Sequence, residues 1–114
     1  METDNEIEIK TEGIYIIYMR EFILKNKNIY KIGRSNDIEN KLRNYPKGSR
    51  IMFATSCNNS IKYEKDLIKI FKTKFISTKF GKRYFKGDVD DMKDIIYNYL
   101  QDIRRLNTNT FNNV

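Results

Sequence analysis

The stretch Gly13-Ile14-Tyr15-Ile16-Ile17-Tyr18, continuing to Leu24, then the polar Lys25-Asn26-Lys27-Asn28, then Ile29-Tyr30-Lys31-Ile32-Gly33, decides the fold. β-Branched and aromatic residues dominate both runs and suit a pleated, half-buried surface, whereas the residues between them suit a solvated turn. The pattern predicts a β-hairpin, Gly13–Leu24 against Ile29–Gly33. In its second strand the two-residue period sets Ile29, Lys31 and Gly33 on one face and Tyr30 and Ile32 on the other. Lys31 therefore faces partial burial, and Gly33 leaves room for a close-approaching backbone or ligand.

Downstream of the hairpin, Ser35, Asn36 and Asp37 offer capping oxygens, and Glu39 falls three residues after Asn36. Ile38, Leu42 and Tyr45 recur at helical spacing, so a short first helix follows and stops before Pro46. Tyr45-Pro46-Lys47-Gly48 suits a type I turn with Pro second and Gly fourth, and Ile51–Ser56 reads as a third strand. Ser60 can cap a second helix running to about Phe75. Ile76–Gly87 is irregular or hairpin-like around Gly81. Asp88 and Asp91 open a third helix with the inward stripe Val89, Met92, Ile95, Ile96, Tyr99, Leu100, Ile103 and Leu106, and Arg104 and Arg105 complement the dipole at its end. Residues 1–12 read as an acidic arm in which Ile7 and Ile9 could add an edge strand, residues 13–106 as one α+β domain, and residues 107–114 as a polar tail.

A chain of 114 residues supports one core. Its net charge of +7, with no histidine to alter it near neutral pH, calls for an anionic partner. Nucleic acid is the foremost choice and anionic membrane the rival, since each lysine or arginine set on a phosphate releases condensed counterions. Cys57 is the one cysteine, so no internal disulfide forms, zinc lacks its usual ligands, and no histidine could activate the thiol. It reads as a small buried apolar side chain. No apolar run reaches membrane-spanning length, and the acidic start Met1–Glu8 does not read as a signal peptide. A soluble protein of a reducing, intracellular compartment is expected.

Glu64 is the most informative position. At 100° per residue it lies mid-arc among Ile61, Leu67, Ile68, Phe71 and Phe75, a carboxylate centred on an apolar face. Such a charge must meet a cation in a structural ion pair, carry a proton, or look into a cleft that holds a metal ion. Lys41 lies one helical step from Ile38 and Tyr45 and faces inward or along the rim, whereas Arg43 points away. Between Lys62 and Lys86 nine basic residues face two acidic ones, a surplus equal to the net charge of the whole chain. Phe80, Tyr84 and Phe85 alternate there with Lys79, Lys82 and Arg83, a mixture suited to stacking on bases while neutralising phosphates. The same rings serve equally well as core, and lysines on a helix equally well as a solvated face.

In order, Gly13-Ile14-Tyr15, Tyr30-Lys31-Ile32-Gly33-Arg34-Ser35, a helix with Lys41, and Glu64 on the next helix resemble the GIY-YIG nuclease superfamily. Closer still is the resemblance to its viral and phage DNA-binding branch, the bacteriophage T-five Orf-172-type domain. It lies in the Lys-Ile-Gly-Arg strand, the Tyr-Pro-Lys-Gly-Ser turn at Tyr45–Ser49, and Gly81 followed by Tyr84-Phe85-Lys86-Gly87-Asp88. The resemblance spans about Gly13 to Leu100. It implies a small three-stranded antiparallel sheet flanked by helices and, in active members, one-metal cleavage of DNA. By carry-over Tyr15 matches the tyrosine near the attacking water, and Glu64 the carboxylate that holds magnesium or manganese. Lys31 stands where the second-motif tyrosine would be, Lys41 where the helix arginine would be, the family's histidine is missing, and Arg83 replaces a common glutamate. Lysine offers a point charge instead of a bidentate fork and, protonated, accepts no proton from water.

The resulting expectation is a DNA-binding domain with a degenerate or weak nuclease site. Lys31, Arg34, Lys41, Lys65, Lys69, Lys72, Lys79, Lys82 and Arg83 would engage the phosphates of duplex or single-stranded DNA. One alternative is an active magnesium- or manganese-dependent endonuclease with Tyr15, Lys31, Lys41 and Glu64 as catalytic residues and Glu64 on the metal. The other is an interaction module presenting its basic face to an acidic protein or lipid surface, against which stands the lack of an amphipathic helix with an apolar membrane face. The resemblance places such a protein in the cytoplasm or nucleus of a virus-infected cell.

Overall fold

The run of apolar residues from Gly13 is continuous because its strand is covered on both faces. β1 (Gly13–Tyr18) is buried up to Ile17 and lies between two antiparallel neighbours, β2 (Ile29–Ser35) and β3 (Arg50–Ser56). The structure, a computed structural model, describes the backbone of residues 9–112 and the side chains of residues 9–107. Met1–Glu8, with the expected edge-strand residue Ile7, lies outside these residues.

The first strand is shorter than expected. After Tyr18 the chain turns into a five-residue helix, α1 (Arg20–Leu24), whose one buried residue, Phe22, meets the rings of Phe80 at 4.9 Å and Tyr84 at 6.2 Å. Of its five residues only Phe22 is buried, and those two rings cover it. α2 (Ile38–Arg43) is capped by Asp37, whose carboxylate accepts the Asn40 amide at 3.3 Å. The turn after it closes one residue later than expected, between the Pro46 carbonyl and the Ser49 amide at 3.1 Å. Gly48 thereby takes the central position with φ of 93°, a conformation glycine adopts without strain.

α3 (Ser60–Lys74) begins at Ser60 but is not capped by it. The side chain of Asn59, at φ of 60°, bonds no helical amide, and the Glu12 carboxylate accepts both the Ser60 amide at 2.8 Å and its hydroxyl at 2.7 Å. The segment Ile76–Gly87 forms a hairpin, β4 (Ile76–Thr78) with β5 (Gly81–Lys86), and β5 joins the free side of β2. The α+β sheet flanked by helices thus holds, with five strands in the order β3-β1-β2-β5-β4 instead of three. α4 (Val89–Asn112) starts where Asp88 accepts the amides of Asp90 and Asp91, and its backbone continues to Asn112, into the segment expected as a polar tail. Arg104 and Arg105 therefore lie short of the helix end.

One face of the sheet holds the core. Ile14, Ile16, Tyr30, Ile32 and Phe85 pack there against Leu67 and Phe71 of α3 and Met92, Ile96 and Leu100 of α4. The Phe71 ring lies edge-on to Phe85 at 5.4 Å, and burying such a side chain is worth about 1.5–3 kcal/mol. Leu106, expected inward, is exposed, and Cys57 is half-buried. Among the described residues no helix is long and apolar enough to cross a membrane.

Candidate nucleic-acid interface

The β2–β5 ladder is short, and its shortness makes the site. It pairs Ile29 with Lys86, Tyr30 with Phe85 and Lys31 with Tyr84, and β2 then continues to Ser35 bonded to β1 alone. A gap opens beside Gly33. Side chains from both faces of the sheet meet there, because Arg83 shares the α3-facing side with Phe85 while Lys31 and Tyr84 look the other way. The result is a cavity of about 240 Å³ lined by Tyr15, Lys31, Gly33, Arg34, Lys41, Glu64 and Arg83.

Glu64 arrives through helical periodicity. The buried residues of α3 are Ser60, Glu64, Leu67 and Phe71, spaced by four, three and four, so the carboxylate belongs to the core-facing stripe. Ile61, expected on that arc, is exposed. The companion of Glu64 is an arginine, not either lysine. Arg83 Nε donates to Oε2 at 3.0 Å and Arg83 Nη2 to Oε1 at 3.3 Å, a two-bond fork. The Glu64 side chain is 7% exposed and that of Arg83 50%, so a buried carboxylate carries a guanidinium that remains half in solvent.

Tyr15 faces Gly33 across the β1–β2 register. A Cβ on Gly33 would lie 2.5 Å from the Tyr15 ring and hydroxyl, so only glycine lets the ring cross the strand. The Tyr15 hydroxyl bonds the Tyr45 hydroxyl at 2.7 Å, and burial, then that bond, push the phenol above the ordinary tyrosine range. Tyr45 is fixed in turn by the Pro46–Ser49 turn, which is tied to α1 through the Arg20 amide on Ser49 Oγ at 3.0 Å. Lys31 projects its ammonium over two rings, 5.1 Å from the Tyr45 centroid and 5.5 Å from that of Tyr84. Lys41 is exposed at the cavity rim.

Arg34 is held by acceptors the residue pattern did not reveal. Its Nε donates to Ser60 Oγ at 2.8 Å, its terminal nitrogen to Asn36 Oδ1, and the Ser60 hydroxyl donates to Glu12. The two hydrogen bonds from Ser60 hold the Glu12 carboxyl below its usual value. Glu12, Tyr45, Ser60 and Asn36 were thus missed as supports of the site. Asn36 and Ser60 carried a signal only as capping residues, Tyr45 through its helical spacing and the turn that follows, and Glu12 none.

The fold does not gather the remaining expected phosphate contacts. Lys65, Lys69 and Lys72 lie exposed along α3, and Lys79 and Lys82 lie exposed on the β4–β5 hairpin. Phe85 is core and Tyr84 half-buried, whereas Phe80 is 42% exposed. A larger cavity, about 640 Å³, is lined by Lys10, Cys57, Tyr63, Leu100 and Arg104 among others, and includes neither Tyr15 nor Glu64.

Lys31, Arg34, Lys41 and Arg83 set four positive charges against one carboxylate around the smaller cavity. Opposed to a phosphodiester, that arrangement attracts and orients its oxygens. A magnesium or manganese ion does not fit the donor set as it stands. Both Glu64 oxygens accept from Arg83, and no cluster of three or more potential metal ligands occurs among the described residues.

No curated protein and no solved structure matches the chain. A family model does, that of the T5orf172 domain, over residues 12–99. The match begins at Glu12, the acid that caps α3 and steadies Arg34, and takes in every residue lining the smaller cavity. Covering most of the sequence, it establishes that the chain belongs to the T5orf172 domain family.

Proposed function

We propose that this protein binds DNA through the sugar-phosphate backbone, using the cavity between β2 and β5 as a phosphate clamp on a GIY-YIG-like scaffold with weakened or lost catalysis. The family is of a nuclease-like, DNA-binding type. The single observation that carries the reading is the excess of cations over carboxylate at the cavity, with the one acid already neutralised by Arg83. Lys31 and Lys41 act as point charges, Arg34 and Arg83 as pre-oriented forks held by Ser60, Asn36 and Glu64. The exposed lysines of α3 and of the hairpin extend the positive field along a strand of DNA without reading its bases. Fluorescence anisotropy with short duplex and single-stranded oligonucleotides tests this. Affinity should fall steeply with added salt and vary little with sequence, and an affinity unmoved by salt would sink the proposal.

A second reading, an active one-metal endonuclease, is favoured by Tyr15 and Glu64 sharing the cavity. It requires Arg83 to release Glu64. A plasmid-nicking assay with magnesium and with manganese decides it, since no nicking by wild type, or equal nicking by Glu64→Ala, removes it.

A further inference from the structure

We infer that Arg83 is a resident substitute for a divalent cation at Glu64. The guanidinium occupies both carboxylate oxygens, and Glu64 serves as the post that aims it. A guanidinium has five N–H donors and the fork uses two, so those left over, on a side chain 50% exposed, are free to meet a phosphate oxygen at the cavity mouth. Glu64 reaches Arg83 because α3 packs on the sheet face that Arg83 of β5 shares with Phe85, so the pair is built into the core-facing register and does not depend on a loop closing. A divalent ion there would set two positive charges between carboxylate and phosphate. Arg83 sets one, covalently attached to the chain.

Two consequences separate this from a carboxylate kept for a metal ion. The protein should hold no divalent ion at Glu64, and it should take a DNA phosphate equally well with and without one. The second consequence rests on the proposed DNA binding, the first does not. Manganese binding is followed by electron paramagnetic resonance without DNA, in wild type, Glu64→Gln, Arg83→Ala and the double variant. Wild type and Glu64→Gln should bind manganese alike and weakly. Arg83→Ala should bind it at least about tenfold tighter, because a neighbouring positive charge has gone, and the double variant should lose that gain. DNA affinity of wild type, at matched ionic strength, should agree within about twofold between EDTA and magnesium.

Manganese on wild type that disappears in Glu64→Gln overturns the inference, as does a folded Arg83→Ala that gains nothing. Should Arg83→Ala not fold, the comparison of wild type with Glu64→Gln decides alone. DNA binding that needs magnesium overturns the inference. DNA bound in neither buffer removes the proposed function while the manganese result still decides the role of Arg83 at Glu64.

Discussion

Removing either partner of the Arg83–Glu64 pair should destabilise the fold unequally, and the inequality follows from burial. At 3.0 Å the gross attraction is about 5.5 kcal/mol with an effective dielectric of 20 and about 1.4 kcal/mol in bulk water. A guanidinium 50% exposed puts the pair between these limits. Arg83→Ala strands a carboxylate that is 7% exposed, so desolvation is uncompensated and the loss should be about 3 kcal/mol. Glu64→Gln leaves a neutral amide in place and lets Arg83 rehydrate, for a loss of about 1 kcal/mol. Urea unfolding of both variants, read at constant denaturant dependence, measures the difference directly. A loss in Glu64→Gln equal to or larger than that in Arg83→Ala would show that the carboxylate is not the buried, dependent partner, and the reading of the site would have to be abandoned.

Gly33→Ala should cost about 2–4 kcal/mol, combining overpacking against the buried Tyr15 ring with the hydroxyl bond to Tyr45, and a melting temperature within a degree of wild type would contradict the contact. Because Ser60 lowers the folded Glu12 carboxyl below its unfolded value, that stabilisation is present above the unfolded value and is lost as pH falls through the folded one. Glu12→Gln should accordingly flatten the acid side of the stability profile, and an unchanged profile would show that the cap contributes nothing. Tyr15 has the opposite sign: its raised phenol stabilises fully below about pH 10 and the contribution fades above it. Ultraviolet titration should find one tyrosine absent in Tyr15→Phe that ionises only as the fold is lost, and its free titration near pH 10 would rule out the buried Tyr15–Tyr45 pair.

The residues that make the site divide by how locally their placement is determined. Glu64 was legible because helical period alone sets it beside Leu67 and Phe71, and Gly33 because a glycine inside a strand marks a close approach. The identity of its companion was not legible. Arg83 sits on β5, whose register against β2 is set between distant segments, and without that register nothing says which basic residue reaches across. Glu12 is a similar case: it precedes the first strand in an acidic run, and its capping role depends on Ser60, 48 residues away. The one-turn α1 escaped because Phe22 needs cover from rings of the β4–β5 hairpin, remote in sequence. Local periodicity decided helices and central strands, and contacts between distant segments decided the chemistry.

If the cavity cations hold DNA phosphates as proposed, the salt dependence of DNA affinity in Lys31→Ala and Lys41→Ala must register their loss. Each substitution should weaken binding to a similar degree for every sequence and reduce the slope of log affinity against log salt by about 1, the double variant by about 2. Slopes identical to wild type in both variants would place the DNA elsewhere on the protein and contradict the account.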